Sequence, residues 1–355
     1  MIKIKVGLID SDEIYLKRFT KLMSERHGSQ IEIFSFTDPE KVFGSVEKNG
    51  INIVVASGDS LPVTDGFSGR CEFAYFTDSS EIDTLNGRKT IFRYQSADSL
   101  YRALLGLYSE KVKDSVSYRA GEGRTRISLF VPEREGAGAS TAAAAMAEYS
   151  ALRGMKTLFL NLRQFGGTEE LFTAPGDTTL TDVIFALKSR KANLRLKLES
   201  IVRKSPEGVC FFGNCRNPLD STELDSDELA SLIDELAGSC GYDRIVIVRD
   251  FFISEKLSVL LGKADDVIIV SGDTPLSEQR ILQKQAVIDG LEKREMTGLK
   301  EKLKILFNKS AGTLQLGIPV MGVIPDTGCG RAKDIIKRMT DTGVFRCICR
   351  EEAAV

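Results

Sequence analysis

Between Val131 and Thr141 the chain reads Pro132-Glu133-Arg134-Glu135-Gly136-Ala137-Gly138-Ala139-Ser140-Thr141, and an alanine-rich stretch follows at once. Small residues let a backbone curl until successive N–H groups converge, and the N-terminus of a following helix adds about half a positive charge. An apolar strand before such a turn and a helix after it would make a cradle for an anion such as phosphate. The same small residues also allow plain packing of a helix on a sheet, so the turn alone leaves both readings open.

Composition removes several other chemistries. The 355 residues carry 48 Lys+Arg against 50 Asp+Glu, a formal net charge of -2, and so offer no global positive field for a polyanion. No nucleic acid is expected as a partner. A single histidine, His27, excludes most general-base and triad chemistry. It ends the helical pattern of Ile14 to Arg26 just before Gly28 and reads as a helix-terminal cation. The seven cysteines show no repeated CxxC pair, which disfavours a zinc site or a disulfide framework. No apolar run spans a bilayer, and Met1 to Asp10 alternates like a strand without the apolar core of a signal peptide, so a cytoplasmic protein is expected.

The elements that must position the turn follow from patterning. The chain is longer than one hydrophobic core usually organises, which favours two domains. Strands are expected at Ile4 to Ile9, Ile31 to Phe36, Ile51 to Ala56, Phe73 to Thr77 and Thr90 to Tyr94. Helices fall after the first of these, at Pro39 to Lys48, and at Ala97 to Tyr108. This is a small doubly wound α/β domain over residues 1–110. A polar, Gly-containing stretch, 111–125, reads as a linker. From residue 126 to 355 a second α/β pattern begins, with strands at Arg126 to Val131, Thr157 to Asn161, Gly208 to Phe212, Arg244 to Arg249, Asp266 to Ser271, Leu303 to Asn308 and Pro319 to Ile324. Runs such as Ile245-Val246-Ile247-Val248 lack alternation, as strands covered on both faces do. A mostly parallel sheet with helices on both faces is predicted. The charged segment Ser277 to Lys304 reads as solvated helix.

The turn resembles the deviant Walker A loop of the MinD/ParA superfamily of P-loop NTPases, and more closely the TadZ/CpaE variant in which the second lysine is a small residue. Aligned on Gly138, the signature lysine falls on Arg134, the glycine pair on Glu135 and Gly136, the second lysine on Ala139 and the hydroxyl pair on Ser140 and Thr141, with Ala137 between. Tyr242-Asp243 before an apolar strand is similar to the Walker B approach, Asn308-Lys309 to the element that reads adenine, and Ile318 to Pro325 to the closing strand that leads into Asp326. The resemblance implies ATP and Mg2+ as cofactors. It implies Arg134 to Thr141, Asn308, Lys309, Pro325 and Asp326 as nucleotide contacts, and Ser140 as a Mg2+ ligand with Asp250 as a weaker candidate.

Four positions depart from the pattern. Ala139 cannot supply the phosphate-neutralising cation, a duty that Arg134 would take over. Asn161 and Arg163 replace the carboxylates of the D-x-D turn, and Val248 stands at the Walker B aspartate. The expectation is nucleotide binding with slow or absent hydrolysis and no catalytic residue.

The first domain is similar to a CheY-like, flavodoxin-fold response-regulator receiver whose site has worn away. Asp10 and Asp12 lie near the acidic positions, Ser57 stands at the phospho-acceptor, Thr77 keeps the hydroxyl after the fourth strand, and Arg93 replaces the lysine. Without a carboxylate nucleophile, aspartyl-phosphate chemistry is not expected, with Asp59 as the register alternative. A receiver that has lost its chemistry suits protein interaction.

Together these resemblances imply a TadZ/CpaE-type protein: a homodimer at the cell pole or inner membrane face that works with other Flp/Tad pilus assembly proteins. The competing reading is an active ParA/MinD-type ATPase that cycles by hydrolysis. A phosphorylated regulator and a nicotinamide dehydrogenase fit less well. Arg331 to Thr340 places Lys333, Lys337 and Arg338 beside Ile335, Ile336 and Met339; it reads first as a surface helix, with weak or peripheral membrane association as the alternative.

Overall fold

The computed structural model describes residues 3–57, 71–111, 124–189, 193–294 and 298–346. The chain divides into two units, one of Met1–Tyr118 with Arg190–Ile201 and the other of Arg119–Ser189 with Val202–Val355.

In the first unit the strands are β1 (Ile4–Ile9), β2 (Ile31–Phe36), β3 (Ile53–Ser57), β4 (Glu72–Thr77), the short β5 (Thr84–Leu85) and β6 (Arg88–Phe92), with helices α1 (Glu13–His27), α2 (Pro39–Asn49) and α3 (Ala97–Lys111). They form one sheet in the order β2-β1-β3-β4-β6-β5, parallel except for the β5/β6 hairpin. The order reverses between β1 and β3, and in such sheets the crevice at the strands' C-terminal ends is where a site sits. Asp12 caps α1 by accepting from the Ile14 and Tyr15 amides, and Asp38 caps α2 before Pro39. His27 closes α1 as expected, bonded to Asp98 at 3.0 Å and stacked on Tyr101.

The second unit holds β7 (Arg126–Pro132), α4 (Ala139–Leu152), β8 (Thr157–Asn161), α5 (Thr168–Leu171) and α6 (Leu180–Lys188). The chain then adds α7 (Leu194–Ile201) to the first unit. There Leu196 joins the core with Leu100 and Leu104 of α3, and Gly106 lets Ser200 approach. Composition could not reveal this excursion, because an eight-residue amphipathic helix reads the same whichever core it covers. The reading of 126–355 as one uninterrupted domain thus differs from the division observed, and most of the expected linker lies outside the described residues. The second unit continues with β9 (Arg203–Lys204), β10 (Cys210–Phe211), α8 (Asp220–Glu223), α9 (Ser226–Gly238), β11 (Arg244–Val248), α10 (Glu255–Lys263), β12 (Asp266–Ser271), α11 (Pro275–Arg294), α12 (Leu299–Lys302), β13 (Leu303–Asn308), β14 (Val320–Ile324) and α13 (Ala332–Asp341).

Its sheet runs β14-β13-β12-β7-β11-β8-β10-β9 and is parallel but for the β9/β10 edge. The central strands β7, β8, β11 and β12 are buried throughout or nearly so, the pattern their unbroken apolar runs imply. Alanines 142–145 and 147 are all fully buried, so small side chains let α4 lie close on the sheet. Ile336 and Met339 of α13 enter the same core, and α13 packs on α4. The apolar face that could have met a membrane is therefore covered by protein, and α13 is an ordinary packed helix. Among the described residues no helix is long and apolar enough to cross a membrane.

Candidate functional site

Parallel pairing brings the ends of β7, β11 and β8 level: Val248 stands opposite both Phe130 and Asn161. At this edge the loop 132–138 turns back into α4. Gly136 and Gly138 adopt φ of 78° and 90°, a region that side chains resist, and the Ala137 amide closes the turn on the Arg134 carbonyl at 3.2 Å. Gly138 is the N-cap of α4 and has no side chain to bond the first-turn amides; no acidic residue stands in that turn either. Those N–H groups and the positive end of a fourteen-residue helix are left to serve a ligand.

The loop is held from both sides. Asn308, buried at the end of β13, donates its side-chain amide to the Ala137 carbonyl at 2.9 Å, and its Oδ1 has no hydrogen-bond partner. The residue expected to read adenine thus braces the glycine loop in this structure. Lys309 follows in the left-handed region at φ 53°, a strained turn for a side chain. On the other side stands Glu133, whose fully buried carboxylate pairs with Arg280 of α11 at 3.0 Å and with Arg134 at 3.6 Å. Sequence reasoning missed Glu133 as a support, since its partner Arg280 is 147 positions away in a segment that looked merely solvated. Arg134 also donates to the Glu135 carbonyl at 3.1 Å, so its guanidinium folds over its own exposed loop. Thr141 is half-buried in the first turn of α4, and Pro325 and Asp326 are exposed beyond β14, where Asp326 accepts from the Gly328 amide.

Asn161 and Arg163 form a built turn. Asn161 is buried, donates to Thr168 at 3.2 Å and accepts from the Arg163 amide at 3.1 Å; a Cβ on Gly166 would strike it at 2.5 Å. So anchored, Arg163 reaches across the end of β11. Its Nε donates to Asp250 at 2.8 Å and its Nη1 to the Ser140 hydroxyl at 3.2 Å. Asp250 lies past the end of β11, so strand alternation does not aim it; Arg163 is its partner.

These residues suit an anion better than a metal. Mg2+ requires near-octahedral oxygen donors at about 2.1 Å. Here Ser140 already bonds a guanidinium, Asp250 is ion-paired, Asn161 is bonded on both sides and Val248 is apolar and buried. Among the described residues no three His, Cys, Asp or Glu side chains gather as a metal site. The donor set does not fit the Mg2+ that the resemblance implies.

The receiver crevice has a similar arrangement. Asp10 is buried at the end of β1 and receives a hydrogen bond from Arg93, which also lies 3.5 Å from Asp78. The Arg93 guanidinium lies over the Tyr15 ring at 4.3 Å, and burial pushes the Tyr15 phenol up to about 12. Asp12 caps α1 instead of facing the crevice, Ser57 is buried at the end of β3, and Thr77 bonds Ser79. Asp59 lies outside the described residues. Of the five expected positions, Asp10 and Arg93 are joined through their side chains, the Asp12 amide donates to the Asp10 carboxylate at 2.8 Å, and the Arg93 amide donates to the Thr77 carbonyl at 3.0 Å.

One unit is a parallel sheet of order β2-β1-β3-β4-β6, the other an eight-stranded, mostly parallel sheet with a glycine turn ahead of α4: both are α/β folds. Residues 2–109 match the family described as the TadZ-like receiver domain. A ParA family ATPase from Chlorobium tepidum TLS is similar at 17% identity and TM-score 0.51, covering 63% of this chain and 98% of that one. The septum site-determining protein MinD from Pyrococcus horikoshii OT3, complexed with Mg-ADP, matches at 16% identity and TM-score 0.46, over 61% of this chain and 95% of its own. A putative plasmid partition protein from Borrelia burgdorferi B31 bound to AMPPNP matches at 13% identity and TM-score 0.43, over 64% and 100%. No curated protein matches the chain. Residues 2–109 thus carry a TadZ-like receiver domain, and the second unit has the fold of a ParA family ATPase.

Proposed function

We infer that this chain is a nucleotide-dependent positioning factor for assembly of a Flp/Tad-type pilus machinery: it binds a nucleoside triphosphate as a dimer, hydrolyses it slowly or not at all, and uses its receiver for protein contact. One observation carries the reading. The uncapped N-terminus of α4 and its glycine turn face two arginines, Arg134 and Arg163, while the neighbouring strand ends carry Asn161 and Val248 where carboxylates would be needed. Amides and guanidinium groups favour a polyphosphate. Orienting water for in-line attack needs a fixed acceptor; Asp250, past the end of β11, is paired with Arg163, and Glu133 is buried against Arg280.

Two features support a second copy of the chain as partner. Phe165, Phe252 and Ile253 are 78%, 72% and 64% exposed on the loops that follow β8 and β11, on the same edge as the phosphate loop. Arg134 is 56% exposed in its side chain, held only by local contacts to Glu133 and to the Glu135 carbonyl. Triphosphate binding would then favour the dimer by population shift, and the dimer would present the docking surface for other pilus assembly proteins.

Sedimentation of the purified protein with ATP, with ADP and without nucleotide tests this. The dimer fraction rises with ATP in wild type and much less in Arg134→Ala; equal fractions throughout remove the switch. In the same samples phosphate release stays far below about 1 per second, the low end of ordinary turnover. Turnover at or above that rate identifies an active ParA/MinD-type ATPase instead.

A further inference from the structure

The geometry assigns to Arg163 the place of the divalent cation: a nucleoside triphosphate is held in this site by a resident guanidinium and main-chain amides, without a requirement for Mg2+. The inference rests on the nucleotide-binding reading above and goes beyond it by naming the charge that neutralises the phosphates.

Three facts lead there. First, Ser140 sits in the opening turn of α4, and its hydroxyl accepts from Arg163 Nη1 at 3.2 Å. An inner-shell metal would need that oxygen at about 2.1 Å and would meet a like charge beside it. Second, Asp250, the candidate carboxylate past the end of β11, is bound to Arg163 Nε at 2.8 Å. It orients the guanidinium and leaves further N–H bonds of the Nη atoms available to oxygen ligands. Third, the turn that carries Arg163 is fixed by Asn161, which accepts the Arg163 amide at 3.1 Å and is itself bonded to Thr168 and closed over by Gly166. The arginine is thus placed by its own backbone, with its side chain only 21% exposed. Such a fixed cation over the helix end compensates for the missing loop lysine at Ala139. A guanidinium held by the fold supplies the positive charge itself, so the site needs no ion from solution.

Calorimetric titration of the full-length protein with ATP, in excess EDTA and in excess MgCl2, tests the assignment. Wild type binds in both, with affinities within about threefold of one another. Arg163→Ala loses about tenfold or more of its affinity in EDTA, the range of a lost charge-assisted hydrogen bond, while Arg163→Lys keeps most of it. Arg163→Asp, which frees Ser140 and restores a carboxylate, makes binding depend on Mg2+. Thermal melts of each variant separate lost binding from lost folding. Wild-type binding that needs Mg2+, or unchanged affinity of Arg163→Ala in EDTA, overturns the assignment and leaves nucleotide binding intact. Absence of ATP binding in both buffers overturns the nucleotide reading itself, and the role of Arg163 with it.

Discussion

Asn308 donates its side-chain amide to the carbonyl of Ala137, 171 positions earlier in the chain, and so ties the end of β13 to the glycine loop before α4. The bond depends on the residue after Ala137 being glycine. A Cβ at Gly138 would stand 2.3 Å from Asn308 Nδ2, and φ is 90° there.

Gly138→Ala is therefore expected to displace Asn308, release the Ala137 carbonyl and reopen the loop. The backbone strain alone is about 1–2 kcal/mol. Calorimetry should show ATP affinity falling by about tenfold or more, with a melting temperature only a few degrees lower. Wild-type affinity in this variant would show that the loop conformation does not matter for binding.

Arg93 and Asp10 form a pair in which both side chains are largely buried, 14% and 4% exposed. Removing one partner of such a pair leaves a buried charge uncompensated, at about 3–5 kcal/mol. Arg93→Ala should lower the urea midpoint of the receiver transition accordingly, and Asp10→Asn added to Arg93→Ala should restore part of the loss. Arg93→Lys should fall between, because it keeps charge but loses the planar contact with Tyr15. Equal stability of all variants would mean that Arg93 does not fasten the crevice.

Asp266 at the start of β12 is bonded by Arg126 at 3.0 Å and Lys304 at 2.9 Å. Burial by itself would push its carboxyl up, but the bonds and charges of Arg126 and Lys304 outweigh that and hold it below the usual 3.8. A depressed folded-state value contributes stability above the unfolded value and loses it as pH falls through the folded one. Stability of the second unit should therefore be level above about pH 4 and drop below it. Asp266→Asn should be less stable at neutral pH and show a shallower drop, measured by denaturant midpoints between about pH 2 and pH 6. An unchanged acid slope would exclude Asp266 as a contributor.

Much of the second unit was legible because its signals are local. Thr157 to Asn161, Asp266 to Ser271 and Leu303 to Asn308 are strands with the predicted ends, since a strand buried on both faces must be apolar throughout. The glycine turn before α4 was legible for a related reason: only small residues permit its left-handed steps. Sequence also foretold that Asn161, Arg163 and Val248 remove carboxylates from that edge. It had no means to foretell that Arg163 lies on Ser140, because that contact depends on β11 being short enough for a side chain from β8's turn to cross its end.

What the amino-acid order determined by itself was the kind of elements, their succession and the chemical groups available at each strand end, because hydrophobic period and backbone permission act over a few residues. What tertiary structure alone decided was which groups meet: Glu133 with Arg280, Asn308 with Ala137, Arg93 with Asp10, and α7 with the receiver core. Those pairings join positions from 83 to 171 apart along the chain. Side-chain charge and hydrogen bonding select a partner only after sheet register has set the distance between them, and register belongs to the folded molecule.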